Sequence, residues 1–269
     1  MQIAFWSNLH GQGATTANTV TASCIIAQKT SYKTLVAQNH IEKNAMEHYF
    51  LKKRDQAAIK MLDYTNQGVD ALVRLYKNGR LKPEMVPDYT YSLMKNHGLD
   101  LLFASGKKEN LSSDTEGVLF NIFQCAKEAY DLVILDLHSG LNETNSRILL
   151  ETSDIVVLCL SQNRSLLDDF KRTMEENPQL KGKRSAYLIS RFEENSSLTP
   201  GNLSRELGID TKSLFTIPYH VGFLDACNNG KVIDFISYCL QSKKGADYDF
   251  INAFSGLIDY IMKGCTIIS

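Results

Sequence analysis

The sequence lacks the features that mark membrane-spanning and strongly charged proteins. No apolar run reaches the roughly 18 residues that a membrane-spanning helix needs. Lys and Arg number 29 and Asp and Glu number 30 among 269 residues, so the net charge provides no general attraction for nucleic acid or an anionic membrane. Contact with DNA or with a membrane would depend on a local patch, and we favour neither.

Cysteine pairs of the C-x-x-C type, which bind metal or carry out redox chemistry, are also missing. The six cysteines are scattered, and Cys24, Cys125 and Cys159 lie in apolar runs, where free cysteine acts as a small hydrophobic residue. This usage fits a reducing compartment. The sequence does not begin with a basic stretch followed by an apolar run and a cleavage site. We therefore expect a cytoplasmic protein.

Strand-like and helix-like runs alternate from end to end. Hydrophobic residues make up 43% of the chain, and with no repeat, low-complexity tract or linker we expect one domain over residues 1–269. Strands separated by helical crossovers predict an α/β fold, a doubly wound, mainly parallel sheet with helices on both faces. The predicted strands are 1–6, 34–37, 99–104, 132–136, 155–160, 186–190 and 214–217, and the predicted helical segments are 15–28, 41–96, 115–130 and 248–262.

The loop after the first strand has the layout of a Walker A element, in which backbone N–H groups and a helix N-terminus hold phosphates. The Walker A pattern is G-x-x-x-x-G-K-S/T. Gly13 and Thr15 match it, whereas Asn8 replaces the first glycine and Ala14 replaces the lysine. We expect a positive φ at Asn8, since asparagine tolerates it best after glycine. The alternative is a plain strand-to-helix turn that contains two glycines.

Asp136 ends a five-residue run, 132–136, that is apolar on both faces, as in a buried parallel strand. The carboxyl ends of such strands are where ligands bind in open α/β sheets. There Asp136 can hold the shell of a Mg²⁺ ion, with Thr15 as its partner hydroxyl. The alternative is a helix-capping or surface aspartate.

Taken together, four segments resemble the ParA/MinD family of deviant-Walker P-loop ATPases, which position plasmids, septa, pili and other large cargo. Residues 9–16 overlay the family loop K-G-G-x-G-K-S/T-T without a gap, and residues 130–140 match its second Walker strand with His138 in place of proline. Residues 187–191 and 215–219 are similar to two later strands, and Ser190 stands where the family has a purine-contacting asparagine. Lysine-poor loops also resemble those of the Tad/Flp pilus-assembly branch.

This resemblance implies ATP or ADP with Mg²⁺, a homodimer, and a protein partner in a larger assembly such as a pilus, secretion or partition machine. It implies that Thr15 and Asp136 hold the metal. The implied nucleotide-binding residues are Gly11, Gln12, Gly13, Ala14, Thr15, Thr16, Ser190, Arg191 and Pro218.

Three departures from the family pattern weaken the case for ATP hydrolysis. Leu9 replaces the family's signature lysine, Ala14 replaces the Walker lysine, and the second strand ends in Gln-Asn-His at 38–40 where the family has D-x-D. Cations opposite developing negative charge supply much of phosphoryl-transfer catalysis. We therefore expect a slow ATPase at most. The alternative is a pseudo-ATPase, an interaction scaffold that no longer binds nucleotide.

Two other features have competing interpretations. His10 is either a solvated loop residue or a phosphate contact that replaces lysine.

The apolar segment 250–262 carries Asp259 and is followed by Lys263, the only lysine at that end of the segment. Helices that lie on membranes carry many cations on their polar face. We therefore expect this segment to pack on the sheet or on a partner.

Overall fold

A computed structural model describes residues 1–39, 45–52, 67–105 and 117–265. In this part of the chain one sheet has eight strands in the order β3-β4-β2-β5-β1-β6-β7-β8. All neighbouring strands are parallel except β3 and β4. The strands are β1 (Gln2–Trp6), β2 (Thr34–Gln38), β3 (Tyr91–Met94), β4 (Leu99–Leu102), β5 (Leu132–Asp136), β6 (Ile155–Leu160), β7 (Ser185–Phe192) and β8 (Leu214–Pro218).

Helices connect the strands and cover the sheet. Those on one face pack on Ile3 and Phe5 of β1, whereas those on the other face pack on Ala4 and Trp6. Side chains therefore alternate between two cores, which confirms the doubly wound prediction. The α-helices are α1 (Thr15–Lys29), α2 (Ala45–Phe50), α3 (Gly68–Lys77), α4 (Val118–Ala129), α5 (Thr144–Thr152), α6 (Arg164–Glu176), α7 (Pro200–Leu207), α8 (Val221–Asn229), α9 (Val232–Cys239) and α10 (Ala246–Cys265).

The strands β1 and β5 lie side by side at the centre of the sheet, with Phe5 opposite Asp136. Strand β6 flanks β1 on its other side. Every residue of β1 and β5 is buried, as their apolar sequences predict. The loop after β1 and the aspartate that ends β5 consequently emerge at the same edge.

The segment 41–96 differs from its prediction, because its end forms a strand where a helix was expected. Residues 53–66 lie outside the described part of the chain, and α2 and α3 are helical, but Tyr91–Met94 pairs antiparallel with β4 at the sheet edge. Asp100 of β4 supports this reversal. Its carboxylate accepts hydrogen bonds from Tyr130 at 2.7 Å and Thr90 at 3.3 Å and lies 2.5 Å from His97 Nδ1.

Helix α10 packs on the sheet, as predicted for segment 250–262, and buries Phe254, Leu257 and Ile261 in the core that contains Phe5. Arg184 fixes the helix further: its guanidinium donates to the Tyr260 carbonyl at 2.7 Å and lies 5.1 Å from the Tyr260 ring centroid. Among the described residues, no helix is both long and apolar enough to cross a membrane.

Candidate functional site

The loop between β1 and α1 lies against the loop that follows β5. Gly140 N–H donates to the Ser7 carbonyl at 3.0 Å, and Trp6 Nε1 donates to the Gly140 carbonyl at 3.1 Å. These bonds close a ring between the two loops. The sequence elements that resemble Walker A and Walker B are thereby held together at the carboxyl edge of the sheet.

Gly13 is required by packing inside the protein. A Cβ at this position would lie 2.4 Å from the Cys159 carbonyl oxygen and 2.7 Å from Ser7 Oγ. Gly11 differs, because it is exposed, has a φ of 73° and has open space where a Cβ would point. The lack of a side chain at Gly13 therefore allows the loop to pack directly against β6, and Gly11 allows the chain to turn within the loop.

Asn8 does not replace a glycine in the way we expected. Its backbone is not in the left-handed region; Gly11 and Ala14 adopt the positive φ angles of the loop. The Asn8 side chain is buried, and its Nδ2 donates to the Leu166 carbonyl at 3.2 Å and to Asp169 Oδ2 at 2.7 Å. The prediction for Asn8 was wrong because its side chain ties the loop to α6.

Ala14 ends the loop in a left-handed conformation, with φ 51° and ψ 36°, and α1 begins at the next residue. Within the described residues, no side chain caps this helix N-terminus. The free amides and the helix dipole favour an anion at such an end. Gly11 and Gln12 are exposed beside it, so the predicted phosphate-binding segment faces solvent.

Asp136 is fully buried, and the contact shown by the structure is with Thr16: Thr16 Oγ1 donates to Asp136 Oδ2 at 2.5 Å. The sequence had suggested Thr15 as the partner. Thr15 is instead near the thiol of Cys159, whose pKa burial raises to about 12. The partner differs from the predicted one because Thr16, the second residue of α1, is the residue whose side chain faces β5. Metal binding by Thr15 and Asp136 stays a prediction.

Asn39 follows β2 and lies between Gln38 and His40, the two positions at which the resembling family has aspartates. Its amide links three segments: Nδ2 donates to Ser146 Oγ at 2.7 Å, Oδ1 accepts from His138 N–H at 2.6 Å, and the backbone N–H donates to the Asp136 carbonyl at 3.2 Å. A neutral amide can both donate and accept here, whereas a carboxylate can only accept. His40 lies outside the described residues.

Two histidines face each other above this edge. The rings of His10 and His138 stack with centroids 6.1 Å apart and an interplanar angle of 23°. Both side chains are exposed. Leu9, at the signature-lysine position, is 37% exposed, so an apolar side chain points to solvent where the family has a cation.

A cavity of about 630 Å³ opens beside Ala14. The predicted residues Ser190, Arg191 and Pro218 line it together with Ala14. Its deeper wall is mostly aromatic and aliphatic. Gly11, Gln12, Gly13, Thr15 and Thr16 do not line it; they form the loop and the first helical turn next to it. A base-sized group in the cavity and phosphates over the loop would therefore be adjacent.

Several cavity residues were not found from the sequence. Ala17 and Asn18 follow the loop on α1, and His220 follows Pro218 closely enough for the resemblance at 215–219 to have pointed to it. Ile217 and Tyr219 lie within the same segment, 215–219. The others come from helices distant in sequence. They are His48, Tyr49, Phe223, Leu224, Cys227, Asn228, Phe250 and Phe254.

Ser190 binds the loop itself. Its hydroxyl donates to the Gly13 carbonyl at 2.8 Å and accepts from Asn18 Nδ2 at 2.7 Å. The hydrogen bonds of this hydroxyl are thus made within the protein. Arg191 follows with a φ of 52°, at a point where the register between β7 and β8 shifts.

No protein-family model and no curated protein matches the sequence. Solved structures, in contrast, match the fold along nearly the whole length of the chain. A ParA family ATPase from Chlorobium tepidum has a TM-score of 0.75 at 13% identity, over 97% of this chain and 98% of that one. MinD complexed with Mg-ADP from Pyrococcus horikoshii has 0.70 at 17% identity, over 100% and 98%. The MinC:MinD cell division complex from Aquifex aeolicus has 0.68 at 15% identity, over 98% and 96%. The chain therefore has the fold of the ParA and MinD ATPases.

Proposed function

We propose that this protein binds ATP or ADP with Mg²⁺ at the carboxyl edge of its sheet and acts as a nucleotide-dependent positioning or recruitment protein. The observation that carries this proposal is the convergence of Ala14, Ser190, Arg191 and Pro218 on one cavity beside an uncapped helix N-terminus. Those residues come from three separate strand ends. Convergence of distant segments on one crevice is what a ligand site at a sheet edge requires.

The phosphates, the base and the metal ion of the proposed ligand would each lie in a different environment. The phosphates would lie over residues 11–16, where Gly11 and Gln12 are exposed and the dipole of α1 is positive. The base would enter the cavity, whose aromatic wall suits a planar ring. Asp136, which accepts from Thr16 Oγ1, would hold the metal together with Thr15 through the hydration shell of the ion. A MinD of the same fold is complexed with Mg-ADP, which supports this arrangement.

Hydrolysis would be slow or absent. Leu9 and Ala14 supply no cation where the resembling family has two lysines. Gln38 supplies no carboxylate where that family has an aspartate, and the amide of the neighbouring Asn39 is engaged with His138 and Ser146. Fixed charges opposite the transferring phosphoryl group usually account for several kcal/mol of catalysis. Binding depends less on these residues, since backbone amides at the loop hold phosphates.

We further propose that one domain over residues 1–269 acts in the cytoplasm, as a homodimer with a protein partner. MinD of the same fold occurs in a complex with MinC, which supports a partner of that kind. A pilus, secretion or partition machine, including the Tad/Flp type, is the assembly we favour. DNA is a less favoured partner, because Lys183 and Arg184 donate to the Ser153 and Tyr260 carbonyls and are engaged within the fold.

Calorimetry of the purified protein with Mg-ADP and Mg-ATP tests the binding proposal. Ala17 lines the cavity and is only partly exposed, so Ala17→Phe should fill the base site and reduce affinity at least tenfold. Gly182→Leu is the matched control, because Gly182 is exposed and has open space around it. Equal affinity for both variants would place the ligand elsewhere.

The second candidate function is a pseudo-ATPase scaffold that has lost its ligand. It is favoured by one observation, the occupation of Asp136 and Asn39 by internal hydrogen bonds with Thr16 and Ser146. Native mass spectrometry distinguishes the two functions. A scaffold would carry no nucleotide and gain none at millimolar Mg-ATP, whereas a switch would show the mass of a bound nucleotide.

A further inference from the structure

Arg191 has an uncommon backbone conformation for an arginine. Its φ of 52° lies in the left-handed region, which residues with a Cβ other than Asn and Asp seldom adopt. The register between β7 and β8 shifts at this residue, between Ser190 and Phe192. Backbone strain of this kind persists where the surrounding structure enforces it, and it is concentrated at functional sites.

The strained turn lies beside the loop at the phosphate side of the cavity. The preceding residue, Ser190, donates to the Gly13 carbonyl at 2.8 Å. Arg191 and Ala14 then line the same cavity. The backbone of Arg191 is therefore one residue away from a direct contact with the loop, close to the N-terminus of α1.

Arg191 also has the charge that the loop lacks. Among the described residues that line the cavity it is the only lysine or arginine. It is exposed, and no carboxylate in the described ranges forms an ion pair with it. Its charge acts on another residue of the cavity: the pKa of Tyr49 is raised to about 12, mainly by burial and also by Cys227 and Asp136, and Arg191 acts in the lowering direction.

We propose that Arg191 binds the phosphate oxygens of a nucleoside diphosphate or triphosphate and so replaces, from strand β7, the lysines missing at Leu9 and Ala14. This inference rests on the proposed function and names a residue of the same site. A guanidinium suits the role because its planar fork donates two parallel hydrogen bonds to a phosphate.

A different role for Arg191 would be to stack on the base, as guanidinium groups do on aromatic rings. The two roles differ in the part of the ligand they hold. Loss of a phosphate contact weakens ADP and inorganic pyrophosphate but spares adenosine. Loss of a stacking contact weakens adenosine and ADP alike and leaves pyrophosphate unchanged.

The test is calorimetry of the full chain with ADP, adenosine and pyrophosphate, each with Mg²⁺, on Arg191→Gly, Arg191→Lys and Arg205→Ala. Glycine removes the guanidinium and also relieves the strain at φ 52°, so a weaker Arg191→Gly variant cannot be attributed to misfolding if its thermal midpoint is unchanged or higher. Arg205 is an exposed residue of α7 whose guanidinium donates to Asn202 Oδ1 at 3.4 Å, and it serves as the charge control.

We expect Arg191→Gly to lose at least tenfold in affinity for ADP and pyrophosphate with adenosine unchanged. Arg191→Lys should recover part of the loss and Arg205→Ala should match the wild type. Unchanged ADP affinity in Arg191→Gly, or an equal loss for adenosine, overturns the role of Arg191 while the proposed function stands. A wild-type protein that binds none of the three probes overturns the proposed function and this inference with it.

Discussion

Thr16 Oγ1 donates a hydrogen bond of 2.5 Å to Oδ2 of the fully buried Asp136, which joins the first turn of α1 to the end of β5. A buried carboxylate that loses a donor is costly, by about 1–3 kcal/mol. We therefore expect Thr16→Val to lower the free energy of unfolding by about that amount, as measured by urea denaturation. Thr15→Val is the comparison, because among the described residues the hydrogen bond to Asp136 comes from Thr16 and Thr15 is near the uncharged Cys159 thiol. Destabilisation confined to Thr15→Val would contradict the pairing.

Gly13 and Gly11 should respond differently to a methyl group. Gly13→Ala places a Cβ 2.4 Å from the Cys159 carbonyl oxygen, and relieving such overlap typically costs about 1–3 kcal/mol of stability. Gly11→Ala meets no atom within 4 Å but keeps a φ of 73°, so its cost should be about 1 kcal/mol. Urea denaturation compares both with Gly182→Ala, which has open space and an ordinary φ and should be near neutral. A Gly13→Ala protein as stable as the wild type would show that the loop does not pack directly against β6.

The buried thiols should make the fold sensitive to alkali. Burial raises the pKa of Cys159 from 9.0 to about 12, so the folded state favours the protonated thiol. The stabilising contribution is complete below pH 9.0 and is lost as the pH rises towards 12. Urea denaturation from pH 8 to pH 10.5 should therefore show a falling free energy of unfolding. Cys159→Ala should flatten that slope, and an equal slope in the variant would exclude this thiol as the cause.

Restoring the missing lysines tests the explanation for slow hydrolysis. Leu9→Lys with Ala14→Lys returns two cations to the edge where phosphates are proposed to lie, and we expect phosphate release to rise by roughly tenfold or more. Malachite-green assays over a range of protein concentrations measure this, since the signature lysine acts across a dimer in the resembling family. If the double variant binds Mg-ATP and turnover does not change, the missing lysines are not what limits hydrolysis.

The central strands could be predicted from sequence because each is encoded locally. Residues 132–136 are apolar on both faces, which predicts a buried parallel strand. In the structure this strand, β5, is parallel to β1, with Phe5 paired with Asp136. Strand β3 was missed because Tyr91–Met94 is a four-residue edge strand with no fully buried residue. Its pairing is set by a turn and by Asp100, and a stretch of four residues carries too little periodicity to reveal either.

The parts of the site that sequence did not predict depend on distant partners. Asn8 is held by Leu166 and Asp169 of α6, 158 and 161 residues away. Gly13 is required by Cys159, and the φ of Arg191 by the register shift of β7 against β8. A motif specifies residue types within one loop, whereas these roles are decided by the neighbours that the sheet brings to its edge.

The central claim is that a nucleotide lies at this edge, with its base in the cavity and its phosphates over residues 11–16. Crystals of the protein grown with saturating Mg-ADP test it most directly. The account predicts a diphosphate within hydrogen-bond distance of the loop amides, the Arg191 guanidinium on a phosphate oxygen, and the base beside Pro218. A nucleotide bound elsewhere, or an empty cavity at a concentration that saturates the calorimetric signal, would contradict it.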